Sequence, residues 1–179
     1  AQLLAATLPA GFFTEEIAPG NSYSSPVAVT FAPDGRLFVV EKRGRVYVVE
    51  NDTKLTTPFL NIESEVLNHW DRGLLGFALD PEFESNGYVY ALYTYDRDGS
   101  GDYQRVDVAG RLTRFTVDAQ NPNVVDPGSR TVLIGETFEE AIPSCYYSHA
   151  IGTIQFGSDG SLIVGAGDGA SFNEVDPGG

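Results

Sequence analysis

The chain has 179 residues, 42% of them apolar and 12% aromatic, which is enough material for one packed domain and too apolar for a disordered one. Its 25 acidic side chains against 11 basic ones leave a net charge of −14. That charge repels nucleic-acid backbones and anionic membrane surfaces and leaves neutral or cationic ligands as partners. No apolar run reaches the length of a membrane span, and the chain opens on Ala1-Gln2 without a Met, as after removal of a targeting segment. The sequence therefore predicts an exported protein, secreted or periplasmic, while the single Cys145 leaves no intramolecular disulfide to form.

In chain order, strand signals fall at residues 36–41 and 45–50, then at 88–95, 111–117 and 131–134. Each is short, rich in β-branched and aromatic residues, and bounded by turn formers. Lys42-Arg-Gly-Arg45 reads as a tight hairpin with Gly44 at its bend. Residues 62–68 are the one stretch with a helical pattern, too short to organise a fold. The fold class is all-β.

A repeat emerges when strands are aligned on a phenylalanine: Val29-Thr-Phe-Ala-Pro-Asp-Gly35, Leu75-Gly-Phe-Ala-Leu-Asp-Pro81 and Thr153-Ile-Gln-Phe-Gly-Ser-Asp-Gly160. Each reads as a buried strand that meets an Asp turn. Phe31, Phe77 and Phe156 lie 46 and 79 residues apart (77 − 31 and 156 − 77), and a four-stranded propeller blade takes about 40 to 50 residues. The first interval fits one blade. The second fits one blade with loops inserted at 96–110, 118–130 and 137–148. This spacing predicts a β-propeller with blade 1 over about 26–62, blade 2 over about 72–136, and the start of blade 3 over about 149–179. That is about two and a half blades. A closed ring needs about four or more, so the sequence reads as the N-terminal part of a longer propeller domain.

The sequence resembles the soluble pyrroloquinoline-quinone (PQQ)-dependent sugar dehydrogenases, the glucose/sorbosone dehydrogenase family. The matching segments are Leu8-Pro-Ala-Gly-Phe12, Phe31-Ala-Pro-Asp-Gly-Arg-Leu-Phe-Val39 and Arg72-Gly-Leu-Leu-Gly-Phe-Ala-Leu-Asp-Pro-Glu-Phe83 with Asn86-Gly-Tyr-Val-Tyr90. Ser148-His149, Phe156-Gly-Ser-Asp-Gly160 and Gly167-Asp-Gly169 complete them. The resemblance implies a six-bladed ring that oxidises a sugar or sugar-like alcohol with PQQ and calcium and passes electrons to an external acceptor. It implies that His149 is the general base at the cofactor and Asp168 the carboxylate that holds its imidazole. It also aligns Asp71 and Ser148 with substrate-contacting positions, where glucose-oxidising members carry a glutamine and an acidic or amide residue. The family's basic partners for the quinone carboxylates and its calcium ligands lie in later blades, so no metal ligand is assigned here.

The residues themselves permit this division of labour. The chain turns at Asp159-Gly160 between two strands, so His149 and Asp168 return to one end of a hairpin, where a carboxylate fixes the imidazole tautomer. Gly165, Gly167 and Gly169 would let the backbone approach a flat ring. Trp70, in Asn68-His-Trp-Asp-Arg72, either packs under a blade or lines a sugar site, and His69 reads as a structural or rim residue rather than a catalytic one. The segment from Asp96 to Asp107 carries oxygen side chains at loop positions one, three, five and twelve with Gly101 at six, a calcium-loop pattern; a solvated acidic hairpin is the rival reading. Two other functions remain open: a non-catalytic propeller of the Hedgehog-interacting type that recognises a protein or carbohydrate partner, and a metal-dependent lactonase, which needs more converging carboxylates than Asp168.

Overall fold

The structure is a computed structural model, described here for residues 7–97, 99, 108–144 and 146–170. The first sheet runs antiparallel through β1 (Pro26–Phe31), β2 (Leu37–Glu41), β3 (Arg45–Glu50) and β4 (Thr53–Lys54), with β5 (Leu60–Asn61) also paired to β3. The second contains β6 (Leu74–Leu79), β7 (Tyr88–Tyr95) and β8 (Val108–Thr116), the last flanked by β9 (Thr131–Ile134) and β10 (Ile142–Ser144). The third is the hairpin β11 (Ile151–Phe156) and β12 (Leu162–Ala166). All five sequence-predicted strands form, although β8 begins at Val108 rather than at Arg111. The hairpin at Gly44 also forms: Gly44 sits at φ 108°, and its N–H donates to the Glu41 carbonyl.

Residues 62–68 are not helical. Val66 bridges Tyr95, Leu67 N–H donates to Thr94 O, and Glu65 O accepts from Asp96 N–H. Seven residues cannot repay helix nucleation when a neighbouring strand offers bonds at once. The helical turns lie instead at α1 (Phe83–Asn86), closed by left-handed Gly87, and at a 3-10 turn over Pro127–Ser129.

The three Asp turns share one device. A carboxylate oxygen of Asp34, Asp80 and Asp159 accepts from the backbone N–H two residues on, at Arg36, Glu82 and Ser161. The strands leading into them differ in burial, which corrects the expectation that all three are buried. Phe77 is 5% exposed, but Phe31 is 64% exposed. Two of the aligned phenylalanines point back at the preceding sheet: Phe77 meets Phe38 of the first and Phe59 just before β5, and Phe156 meets Tyr90 of the second. Among the described residues nothing precedes β1 to cover Phe31, Val27 and Val29.

The second sheet is covered on both faces. Phe38, Val40, Val46 and Val48 pack with Phe59, Leu74, Phe77, Val89 and Tyr93 on one side; Tyr90, Leu92 and Leu112 pack with Ile151 and Ile154 on the other. For this reason β7 is an almost continuous apolar run, buried from Val89 to Thr94, rather than an alternating one.

Arg36 ties the first Asp turn to the second sheet's loop. It is paired with Asp34 at 2.7 Å, donates to Pro122 O and Asn123 Oδ1, and lies over the rings of Phe38 and Phe83. The hydrogen bond from Arg36 holds the Asp34 carboxyl below its usual range. A depressed folded pKa gives stability that is present above the unfolded value of about 4 and is lost as pH falls through the folded one. Asp34→Asn is therefore expected to melt several degrees below the parent at pH 7, with the gap closing between about pH 5 and 3 in thermal scans.

Candidate functional site

The site lies where the chain enters β11 and leaves β12. Past the ladder, Gly167 N–H donates to Ala150 O at 2.6 Å and Gly169 N–H to His149 O at 2.9 Å, so the hairpin ends are held together. His149 takes a left-handed backbone at φ 52°, an uncommon conformation for a residue with a Cβ. Its Nδ1 lies 2.9 Å from Asp168 Oδ1, which also accepts from Ala170 N–H at 3.1 Å. The Ala170 N–H first and the imidazole second hold the Asp168 carboxyl below its usual range. A charged carboxylate on Nδ1 selects the tautomer with hydrogen there and puts the lone pair on Nε2. The side chains are 41% and 72% exposed, so the pair faces solvent.

Asp71 and Ser148 join the same cluster. Asp71, just before β6, donates its N–H to Tyr147 O at 3.1 Å and accepts from His149 N–H through Oδ2 at 3.2 Å. Ser148 is 1% exposed and donates its hydroxyl to Ala170 O at 2.9 Å. The structure thus brings together all four residues singled out in the sequence, from three separated segments. Asp71 supports the His149 backbone, and the Ser148 hydroxyl points into the fold.

Two of the glycines have a packing role inside the chain itself. A Cβ on Gly167 would run into the His149 and Ala150 carbonyl oxygens, and one on Gly165 would come within 3.3 Å of Thr153 O. These positions serve close strand packing; Gly169 supplies a left-handed turn at φ 65°. Gly167→Ala is expected to push the His149 backbone out of register, costing about 2 kcal/mol of stability and a larger share of any His149-dependent activity. Parallel thermal melts and rate measurements check this.

Beside the dyad is an aromatic cluster. The Trp70 and Tyr147 rings are 5.6 Å apart at 45°, and the His69 ring meets Tyr147 edge-on at 6.1 Å. Trp70 is 58% exposed, which decides against packing under a sheet. Desolvation, then the charges of Arg72 and Lys42, push the His69 imidazole below its ordinary pKa. Arg72 is fully buried and donates to Ser144 O at 2.8 Å, linking the entry to β6 with the end of β10. Sequence reasoning did not single out Tyr147 or Arg72; the Tyr-Tyr pair just before Ser148-His149 was the available signal for the first, and nothing in the pattern flagged a buried guanidinium.

The acidic segment from Asp96 to Asp107 lies outside the described residues except for Asp96, Arg97 and Gly99, as does Cys145. Among the described residues no group of three or more His, Cys, Asp or Glu side chains is placed to hold a metal ion, and no helix is long and apolar enough to cross a membrane.

Residues 23–177 match the Glucose / Sorbosone dehydrogenase family. The chain belongs to that family. It is 30% identical over 153 residues to the mouse Hedgehog-interacting protein, covering 80% of this chain and 21% of that protein. It is 24% identical over 151 residues to quinoprotein glucose dehydrogenase B of Acinetobacter calcoaceticus, covering 83% and 29%. Among solved structures, the PQQ-bound aldose sugar dehydrogenase of Streptomyces coelicolor aligns with TM-score 0.58 and 24% identity over 84% of this chain and 40% of that one. The fold is the antiparallel, all-β propeller of these proteins, represented here by partial, unclosed blades. The chain spans less than a third of the length of the two curated relatives named.

Proposed function

We propose that this chain carries the proton-accepting half of a quinoprotein active site that oxidises a sugar or sugar-like alcohol. The observation that carries this reading is the solvent-facing His149–Asp168 pair, with Nδ1 on the carboxylate and its backbone held by Asp71 and Gly169. Family membership supports the reaction class, oxidation by a dehydrogenase. His149 Nε2 takes the hydroxyl proton of the substrate as the hydrogen on the same carbon leaves with its electron pair, so the alcohol becomes a carbonyl. Asp168 orients the ring and balances the charge of the imidazolium. Asp71 acts beside His149 at the substrate, and Ser148 positions the loop from below.

PQQ, when bound, would supply the acceptor for the electron pair, with an external acceptor as the final oxidant. The residues present fit part of this cofactor's needs: an exposed imidazole beside an aromatic surface suits a flat quinone with its substrate. Among the described residues no group of three or more His, Cys, Asp or Glu side chains is placed to hold calcium. The family resemblance puts the quinone's cationic partners and its calcium ligands in later blades, and the reading proposed here is of a secreted or periplasmic enzyme.

A second reading is favoured by the 30% identity to the mouse Hedgehog-interacting protein: a propeller that recognises a protein without catalysis. A PQQ titration with calcium, on the longest natural protein that carries this chain, separates the two. Saturable binding followed by dye reduction with an aldose supports the enzyme; absence of quinone binding moves the assignment to the recognition propeller.

A further inference from the structure

The aromatic surface beside the dyad is built rather than incidental. Trp70 is 58% and Tyr147 41% exposed, the first an unusually large apolar area to leave in water at a single site. Trp70 also holds a left-handed backbone at φ 50°, which costs a bulky residue about 1 to 3 kcal/mol and persists only when its surroundings impose it. Those surroundings are on both sides: Lys42 Nζ donates to the Trp70 carbonyl, Leu74 N–H to Lys42 O, and Asp71 N–H to Tyr147 O. A Cβ on Gly73 would meet Lys42 O at 2.7 Å, so the chain comes too close there for another residue. The rings brace one another, with His69 edge-on behind Tyr147.

This platform is continuous with the dyad. Trp70 precedes Asp71, whose carboxylate holds the His149 N–H, and Tyr147 lies two residues before His149. Flanking it are the exposed carboxylates of Asp71 and Asp168. A flat apolar ring face bordered by hydrogen-bond acceptors matches one class of ligand: a pyranose, with axial C–H groups on one face and hydroxyls around its edge. Rigid aromatic rings with few rotatable bonds lose little entropy on contact. The two carboxylates and the net charge of −14 select neutral sugars over phosphorylated or acidic ones.

We infer that Trp70 and Tyr147 form the pyranose-stacking platform of this site and determine which neutral sugar presents its hydroxyl to His149. The inference rests on the dehydrogenase reading for its reaction but not for its binding, so the two can fail separately. The test uses the longest natural protein that carries this chain and the methyl β-glycosides of glucose, galactose and xylose. These lack a free anomeric hydroxyl, so binding is measured by calorimetry and saturation-transfer NMR without turnover.

At least one glycoside is expected to bind through its C–H face. Trp70→Ala and Tyr147→Ala are expected to weaken it about tenfold each, with Trp70→Phe restoring most of the loss. His149→Ala is expected to change glycoside affinity by less than about threefold while lowering kcat/KM for oxidation of the free sugar about 10³-fold. If the parent binds none of the three, or Trp70→Ala binds them as tightly as the parent, the platform is overturned. Trp70-dependent binding without quinone-dependent oxidation would leave the platform standing and remove the dehydrogenase.

Discussion

His149→Ala is expected to lower kcat/KM for sugar oxidation by about 10³-fold while leaving the melting temperature within a few degrees of the parent, because the ring is 41% exposed and fills no core. In the proposed mechanism the effect falls on kcat, because the base would act on the hydroxyl as the bond to hydrogen breaks while the rest of the substrate surface is untouched. His149→Gly should be as inactive and slightly easier to fold, since φ 52° suits glycine better than alanine. An open position also admits a small base, so added imidazole should restore part of the rate to the glycine variant. Asp168→Asn should cost about 10 to 10²-fold with KM little changed, because the amide can keep the ring in place without balancing the imidazolium charge. Full activity in His149→Ala would falsify the assignment of the base.

Phe38→Ala is expected to be the most destabilising single change in the first two sheets, at about 3 to 5 kcal/mol. Phe38 is fully buried and sits where the sheets meet, edge-on to Phe59 at 4.8 Å and to Phe83 at 6.0 Å, with Phe77 across the interface. Its removal leaves a cavity bounded by strands from two sheets, which cannot close without moving one against the other. Arg36 also rests on this ring, so the bridge to Pro122 and Asn123 loosens with it. Denaturant unfolding in the longest natural protein that carries the chain measures the loss. An exposed counterpart such as Phe31→Ala, at 64% exposure, should cost far less in this chain.

Much of the fold was legible because its elements are local. Residues 45–50, 88–95 and 131–134 carry their strand character in β-branched and aromatic side chains, and Gly44 marks its hairpin. The three Asp turns repeat because each closes on its own backbone two residues away. The helical reading of 62–68 failed on a non-local term, the pairing of Val66 and Leu67 with the end of β7, which no window of seven residues contains. The expected burial of Phe31 failed for a related reason: side-chain pattern gives a face, and only a neighbouring sheet decides whether that face is covered.

At the site, the sequence by itself determined the pair. A histidine before one strand and an aspartate after the next, with a turn between them, must meet at one end of a hairpin, and the 2.9 Å contact is that geometry. It also determined that Asp71 and Ser148 merit attention, through the family motif around them. Tertiary structure alone decided what they do there. It gave Asp71 to the His149 backbone, turned Ser148 inward to Ala170, spent Gly165 and Gly167 on strand packing, and set Trp70 beside Tyr147 in the open. The physical reason is distance along the chain. Hydrogen bonds between neighbours follow from local spacing, whereas contacts across 78 residues, such as Asp71 with His149, exist only once separate sheets have packed.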